Sequence, residues 1–158
     1  MEDLFDFMFG ASGRIGRARY WRSLLIHGVA GLFVAVILFT AAGIAAPLFF
    51  AMVVLALIPW LMWGFAFHTE RLHDRDRSAW WLALFFLLPG VLVQLAKFTA
   101  FAGSIGVVQH YLLDVAALAL SIWGFVEIGC LRGTAGNNTY GPDPLIEARR
   151  MRTAAARR

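Results

Sequence analysis

The chain has 158 residues, a hydrophobic content of 60% and a mean hydropathy of +0.69. Soluble domains average roughly 45–50% apolar residues, so the composition indicates a single-domain membrane protein. Charged residues make up 15% of the chain and cluster between long uncharged stretches, which excludes a disordered protein. The one cysteine, Cys130, excludes a disulfide scaffold and a cysteine-based zinc site. The net charge of +4 suits anionic lipid headgroups as readily as nucleic acid.

The hydropathy pattern predicts an all-α integral membrane protein with four transmembrane helices. Each apolar run approaches or exceeds the roughly 20 residues that cross a 30 Å hydrocarbon layer. Pro59 lies inside the second run, where we expect it to kink the helix without ending it. Gly103 and Gly106 lie between the third and fourth runs, and residues 97–110 therefore favour a loop or a shallow re-entrant segment. The predicted spans are about 23–46, 48–67, 79–96 and 111–131.

The distribution of basic residues predicts how these helices are oriented across the membrane. Thirteen of the fourteen lie before the first span, between the second and third, or after the fourth, and only Lys97 falls on the other side. The positive-inside rule therefore places both termini and the central loop in the cytoplasm. The sequence predicts one transmembrane domain over residues 1–144 and a basic cytoplasmic tail over 145–158.

Three polar motifs fall on the predicted cytoplasmic face. They begin with Gly13-Arg-Ile-Gly-Arg, Arg71-Leu-His-Asp and Gly133-Thr-Ala-Gly-Asn, and they end at Trp21, Trp81 and Pro144. Their joint occurrence, in order, resembles the bacterial inner-membrane family called domain of unknown function 805, the YhaH type. The resemblance implies a small multi-helix protein of the bacterial inner membrane, and the family has no assigned activity. Asp76 and Ala79 stand where many members carry glycine.

The N-terminal motif has two interpretations. Phe5, Phe7 and Phe9 precede the arginines, a composition typical of a segment that lies in the membrane interface. Alternatively, Arg14 and Arg17 form a phosphate clamp. At helical spacing Arg14, Arg17 and Arg22 gather within about 140° while Arg19 falls outside, so the spacing predicts no single binding face.

The central motif also allows two interpretations. Its charges of both signs predict an ion-pair network that fixes the turn between the second and third spans. The alternative is a site for a headgroup or small anionic ligand, in which His73 titrates near neutrality and Asp74 orients it. His68 and His73 are five residues apart and diverge on a helix, so no metal site is expected. The candidate binding residues of the two motifs are Arg14, Arg17, Arg71, His73, Asp74, Arg75 and Arg77.

The C-terminal motif is rich in glycine, asparagine and proline, which predicts a rigid turn-rich cap. We expect Tyr140 to pack against the membrane-proximal helices and Asp143 to reach the basic cluster. The arginine-rich segment after Pro144 predicts a short basic helix or a frayed tail at the lipid surface.

Ionisable residues inside a membrane span carry a high free-energy cost, so those inside the predicted spans are functional candidates. His27 and Glu127 have comparable predicted depths and could pair across the bundle. The alternatives for Glu127 are a protonated carboxyl bonded to backbone or serine, or an arginine that reaches in. Asp114 lies near the outer boundary, where water or Lys97 can reach it.

These patterns favour a non-enzymatic inner-membrane protein whose cytoplasmic Arg/His/Asp cluster binds an anionic lipid headgroup, a small anionic ligand or a partner membrane protein. The alternatives are a small transporter, channel or lipid-flipping protein, and an enzyme acting on lipid phosphate. The expected partners are the phospholipid bilayer and its anionic lipids, with a membrane-protein partner or a second copy left open. We expect no cofactor and no nucleic acid, for which no supporting fold is indicated.

Overall fold

The computed structural model describes residues 13–43, 46–99 and 103–157. Across these ranges the regular structure is helical and contains no strand. Phe5, Phe7 and Phe9, for which the sequence predicts an interfacial position, lie outside the described residues. The helices are α1 (Arg17–Thr40), α2 (Ala46–Asp74), α3 (Leu88–Thr99), α4 (Gly103–Phe125) and α5 (Pro144–Ala155), with a 3₁₀ turn at Ala41–Gly43 and π-helical segments at Ala83–Leu87 and Val126–Cys130.

Three helical stretches are long and apolar enough to cross a membrane: Arg17–Thr40, Ala46–Asp74 and Ile105–Cys130, with mean hydropathies of 2.2, 2.2 and 1.7. A fourth apolar stretch, Ala83–Thr99, is shorter. Its 17 residues extend about 26 Å at 1.5 Å per residue. The helical membrane-protein class is confirmed, and the number of crossings stays a prediction.

The connection between α3 and α4 is shorter than predicted. Residues 97–110 were expected to form a loop or re-entrant segment, but α3 continues to Thr99 and α4 begins at Gly103. His110 Nδ1 lies 3.0 Å from the carbonyl oxygen of Ala96, and the two helices pack against each other. This packing outweighs the low helix propensity of the glycines.

The two prolines have different local consequences. The α2 helix continues through Pro59, as predicted. Pro89 lies in the first turn of α3, immediately after the π-helical segment, where the N–H of Leu88 donates to the carbonyl of Ala83, five residues earlier. Because proline has no N–H for the regular ladder, the wider π turn lets the helix pass through this point.

The helices form two antiparallel hairpins, α1 with α2 and α3 with α4, and the π-helical segment Val126–Cys130 contacts both helices of the first hairpin. We call this end of the bundle, where the three motifs meet, the motif end. The hydrophobic core lies there and consists of Ile15, Tyr20, Trp63, Phe67, Leu72, Leu82, Phe85 and Ile128. Away from it the helices expose apolar side chains, including Phe39, Leu55 and Ile105. We call this part the apolar half.

Candidate functional site

Two arginines enclose one carboxylate at the centre of the motif end. Arg71, in the last turn of α2, is 0% exposed, and its guanidinium donates to Asp74 Oδ2 three residues later. Arg14 precedes α1 and donates from Nη2 to Asp74 Oδ1 at 3.1 Å. We call Arg14, Arg71 and Asp74 the polar cluster. Its central carboxylate accepts from two guanidinium groups, an arrangement that a buried charge needs.

Arg14 also holds the C-terminal motif. Its Nη1 donates to the carbonyls of Gly136 at 2.7 Å and Gly141 at 3.0 Å. Its Nη2 donates to the carbonyl of Thr134 at 2.7 Å. Arg14 lies outside the helix that begins at Arg17, so the helical spacing assumed from the sequence does not apply to it.

The π-helical segment Val126–Cys130 continues α4 and forms its end, and side chains from the other two motifs cap this end. Five consecutive carbonyls, from Ile128 in this segment to Arg132 just after it, accept hydrogen bonds from side chains of the first hairpin and of Arg75, which follows it. A helix end leaves its last carbonyls unsatisfied, and cations near it are favoured by the helix dipole. The donors are, in order, Arg71 Nε (2.7 Å), Trp21 Nε1 (3.1 Å), Arg17 Nη1 (3.0 Å), Arg71 Nη2 (2.5 Å) and Arg75 Nη1 (2.6 Å).

The C-terminal motif is bonded to the end of α2. The N–H of Thr134 donates to the carbonyl of Asp74 at 2.8 Å, and Asn138 Nδ2 donates to the carbonyl of His73 at 2.8 Å. The Tyr140 ring stacks on the His73 ring with a centroid distance of 3.8 Å. The expected packing of Tyr140 against the helices is therefore present.

Two backbone positions explain residue choices in these motifs. A Cβ atom at Gly133 would lie 2.0 Å from Asp74 Oδ2, so any side chain there collides with the polar cluster. Asp76 has φ of 57°, in the left-handed region that favours glycine, and its Oδ1 accepts the N–H of Thr139 at 3.2 Å. A glycine would adopt this conformation without strain, which suits the glycine that the family resemblance implies for this position.

Residues 8–142 match the family described as protein of unknown function (DUF805). The chain belongs to the DUF805 family. It is 32% identical over 143 residues to the inner membrane protein YhaH of Escherichia coli K12, covering 87% of this chain and 89% of YhaH. It is also 32% identical over 137 residues to the inner membrane protein YhaI of the same organism, covering 85% and 86%. No solved structure matches.

In this DUF805 chain, Glu127 is buried and has a different partner from the first one that the sequence suggests. Glu127 Oε1 accepts from Arg75 Nη2 at 3.1 Å, and Arg77 Nε lies 3.9 Å away. The predicted pairing of Glu127 with His27 is wrong, and the alternative of an arginine that reaches in is present. Arg75 follows the last residue of α2, and its long side chain extends to the end of α4.

His27 lies instead in an aromatic environment on the α1–α2 interface. Its ring stacks on Trp60 with a centroid distance of 4.4 Å and contacts the edges of Trp63 and Phe67 at 5.2 and 5.3 Å. Gly64 provides the space, because a Cβ atom there would lie 3.0 Å from the imidazole. Residue spacing alone could not distinguish this packing from a polar pair at the same depth.

Asp114 lies on α4, far from the polar cluster in sequence. Its Oδ2 is 3.5 Å from His110 Nε2, one turn earlier, and its side chain is 42% exposed. Lys97 and Asp114 both line a shallow cavity between α3 and α4. Within the described ranges, no group of three histidine, cysteine or acidic side chains is arranged to hold a metal ion.

A cavity of about 510 Å³ opens beside the polar cluster, between the start of α1 and α5. Arg14 and Arg17 were predicted as a clamp and both line it, whereas Arg71 is fully buried and is absent from its wall. The grouping with Arg132 was missed because that residue is more than one hundred positions away in sequence. We call this the basic cavity; its five arginines are Arg14, Arg17, Arg19, Arg22 and Arg132.

Asp143 contributes to the wall of the basic cavity and caps α5. Its carboxylate accepts from the N–H of Leu145 at 2.9 Å and from the N–H of Gly136 at 3.1 Å. These hydrogen bonds, from Leu145 first, and the nearby Arg14 guanidinium hold the pKa of Asp143 below its usual range. Asp143 therefore lies within electrostatic reach of the basic motif, in the region predicted for it.

Proposed function

We propose that this DUF805 protein binds a phosphate-bearing anion in the basic cavity, at the membrane surface. The ligand class includes a lipid headgroup and a small soluble phosphate. The observation that supports this proposal is that five arginines from two separate motifs line one cavity. Guanidinium groups bind phosphate oxygens bidentately, and they keep their charge at every physiological pH.

The acids in the same wall offset only part of this charge. Asp74 is enclosed by the two arginines of the polar cluster, and Asp143 is engaged by backbone N–H groups. Arg22 and Arg132 are exposed to the cavity side. The α1 helix has no acidic residue in its first turn and no side-chain cap, so its dipole adds to the positive potential.

In this proposal the polar cluster is the scaffold of the site. Arg71 and Asp74 fix the end of α2, and Arg14 connects that end to the C-terminal motif. This assignment combines the two interpretations of the sequence, because an ion-pair network supports a neighbouring binding cavity. We assign the ligand contacts to Arg17, Arg22 and Arg132.

We further propose that all four apolar helices cross the inner membrane, with both termini in the cytoplasm. The support is the arrangement of two hairpins with their basic residues at the motif end and Lys97 at the opposite end. In a Cys130→Ser background, an impermeant maleimide added to intact spheroplasts should label Lys97→Cys and leave Arg152→Cys unlabelled. The reverse labelling pattern would contradict the topology.

Native mass spectrometry in lipid discs tests the binding proposal. The discs contain phosphatidylcholine doped with phosphatidylglycerol, and the test variant is Arg22→Gln with Arg132→Gln. We expect roughly thirtyfold weaker retention of phosphatidylglycerol, since each of the two basic residues near the surface contributes about 1 kcal/mol. The matched control, Arg150→Gln with Arg152→Gln, removes the same charge from α5 outside the cavity wall. Equal losses in both variants would contradict a specific site.

A further inference from the structure

A second cavity lies on α1 next to the basic cavity. It is a groove of about 410 Å³, and apolar side chains and one glycine form its wall. We call it the α1 groove; its residues are Trp21, Leu24, Leu25, Gly28, Val29 and Leu32. Most of these side chains are exposed, so the groove is open to the surroundings of the helix.

The α1 groove and the basic cavity share one face of α1. At 100° per residue, the groove residues span an arc of about 140°, and Arg17 and Ala18 of the basic cavity fall within that arc. Arg22 falls about 20° beyond its edge. A ligand that contacts these arginines can therefore continue along the same helix face into the groove.

The groove also has the depth of one membrane leaflet. From Trp21 to Leu32 the helix rises about 16 Å, close to half of a hydrocarbon layer of roughly 30 Å. The arginines at the start of α1 then lie at the level of the phosphates, and the groove lies at the level of the acyl chains.

Trp21 and Gly28 shape the groove. Trp21 Nε1 donates to the carbonyl of Gly129 at 3.1 Å, and its ring contacts the Phe125 ring edge-on at 5.8 Å. The indole is therefore held in place at the end of the groove nearest the basic cavity. A Cβ atom at Gly28 would meet nothing within 4 Å, so the missing side chain leaves an open notch in the helix surface.

We infer that the two cavities form one binding site for an anionic membrane phospholipid. The phosphate lies among the arginines of the basic cavity, and one acyl chain lies in the α1 groove over Gly28. This inference rests on the proposed function and adds the source of the phosphate. A soluble phosphate would use the basic cavity alone, whereas the adjoining apolar groove fits a ligand with a hydrocarbon chain.

Filling the notch tests the inference. We compare wild type, Gly28→Leu and Gly90→Leu for retention of long-chain phosphatidylglycerol in phosphatidylcholine discs, with glycerol phosphate as a soluble competitor. Gly90 is the matched control, because it lies in an apolar helix with nothing within 4 Å of a Cβ atom and borders a different cavity. We expect Gly28→Leu to reduce retention by about threefold or more through lost packing along the chain, and Gly90→Leu to leave it unchanged.

Each outcome decides between the two proposals. Wild-type retention in Gly28→Leu, or displacement of the lipid by equimolar glycerol phosphate, would overturn the phospholipid inference and leave the basic cavity as a phosphate site. The proposed function separately requires that the double variant Arg22→Gln with Arg132→Gln lose retention of phosphatidylglycerol. Wild-type retention in that variant would overturn both the proposed function and the phospholipid inference.

A second measurement needs no substitution in the groove. Phosphatidylglycerol with a photoreactive diazirine in one acyl chain is cross-linked to the wild-type protein, and the labelled peptides are mapped. The inference predicts labelling concentrated between Trp21 and Leu32. Labelling spread evenly over α3 and α4 would overturn it, whatever the folding yield of Gly28→Leu.

Discussion

The motif end and the apolar half of this DUF805 protein are organised by different forces. At the motif end, directional hydrogen bonds and ion pairs join residues that are 50 to more than 100 positions apart in sequence, as in Arg14 with Gly141 and Arg75 with Glu127. In the apolar half, the side chains are exposed; Phe39 is 84% and Leu55 75% exposed. Hydrogen bonds and ion pairs of specific geometry therefore fix the position of the two hairpins relative to each other. The exposed apolar side chains on the rest of the surface face the hydrocarbon of the membrane.

This difference has a consequence for substitutions. A buried charge that loses its partner has no water to replace it, whereas an apolar side chain facing lipid exchanges one hydrocarbon contact for another. Changes at the motif end should therefore be costly even when they are small, and changes in the apolar half should be tolerated even when they are large.

The largest effect is expected from Arg71→Gln. The substitution leaves Asp74 short of a buried countercharge and removes the donors to Ile128 and Leu131. We expect a destabilisation of about 3–5 kcal/mol, measured by thermal unfolding in detergent. Arg150→Gln removes the same charge from the exposed surface of α5 and should have little effect. Similar unfolding temperatures for the two variants would contradict a structural role for the polar cluster.

A single added methyl group should have the next largest effect. Gly133→Ala places a Cβ atom 2.0 Å from Asp74 Oδ2, and the backbone must move to relieve the contact. We expect a loss of about 1–3 kcal/mol from overpacking. The same change at Gly90, in the apolar half, meets open space and should be neutral or stabilising because alanine favours the helix. Unfolding in detergent compares them directly, and an equal cost at both sites would count against the contrast.

A smaller effect distinguishes the partners of Glu127. In a double-mutant cycle, Arg75→Gln and Glu127→Gln should couple by about 1 kcal/mol, since their side chains are bonded at 3.1 Å. His27→Leu and Glu127→Gln should instead add independently, because His27 packs among aromatic rings. Coupling of Glu127 to His27 in place of Arg75 would restore the partner expected first from the sequence.

The smallest effect is the pH dependence contributed by Asp143. Its pKa lies below the usual value because the N–H groups of Leu145 and Gly136 stabilise the charged carboxylate. The stabilisation is therefore complete above the unfolded pKa of about 3.9 and is lost as the pH falls through the folded pKa. Asp143→Asn should lower the unfolding temperature slightly at neutral pH, and the difference from wild type should shrink in acid. A difference that grows in acid would contradict this sign.

The sequence predicted the helical membrane class and the family because both depend on local or linear information. A run of apolar residues is sufficient to indicate a helix that can enter a membrane, and three motifs in fixed order are sufficient to indicate relatives. The same local reasoning failed at 97–110, where packing between α3 and α4 extends both helices through residues of low propensity.

The composition of the candidate site was only partly predictable. Arg14, Arg71 and Asp74 were identified from the density of charge in two motifs. Their shared geometry depends on the π-helical end of α4, which no residue pattern in the sequence predicts. The basic cavity combines Arg132 with the first motif across more than one hundred residues. Such a grouping is set by which helix ends meet, and hydropathy contains no information on that pairing.

The sequence by itself determined where apolar surface and charge lie along the chain, because these are properties of individual residues and their neighbours. The tertiary structure decided which charges meet. Glu127 pairs with Arg75 because the end of α4 lies beside the end of α2, and His27 is excluded from that pair because Gly64 admits its ring between the tryptophans of α2. Burial makes each of these choices energetically decisive, since a misplaced charge at the motif end would have neither a partner nor water.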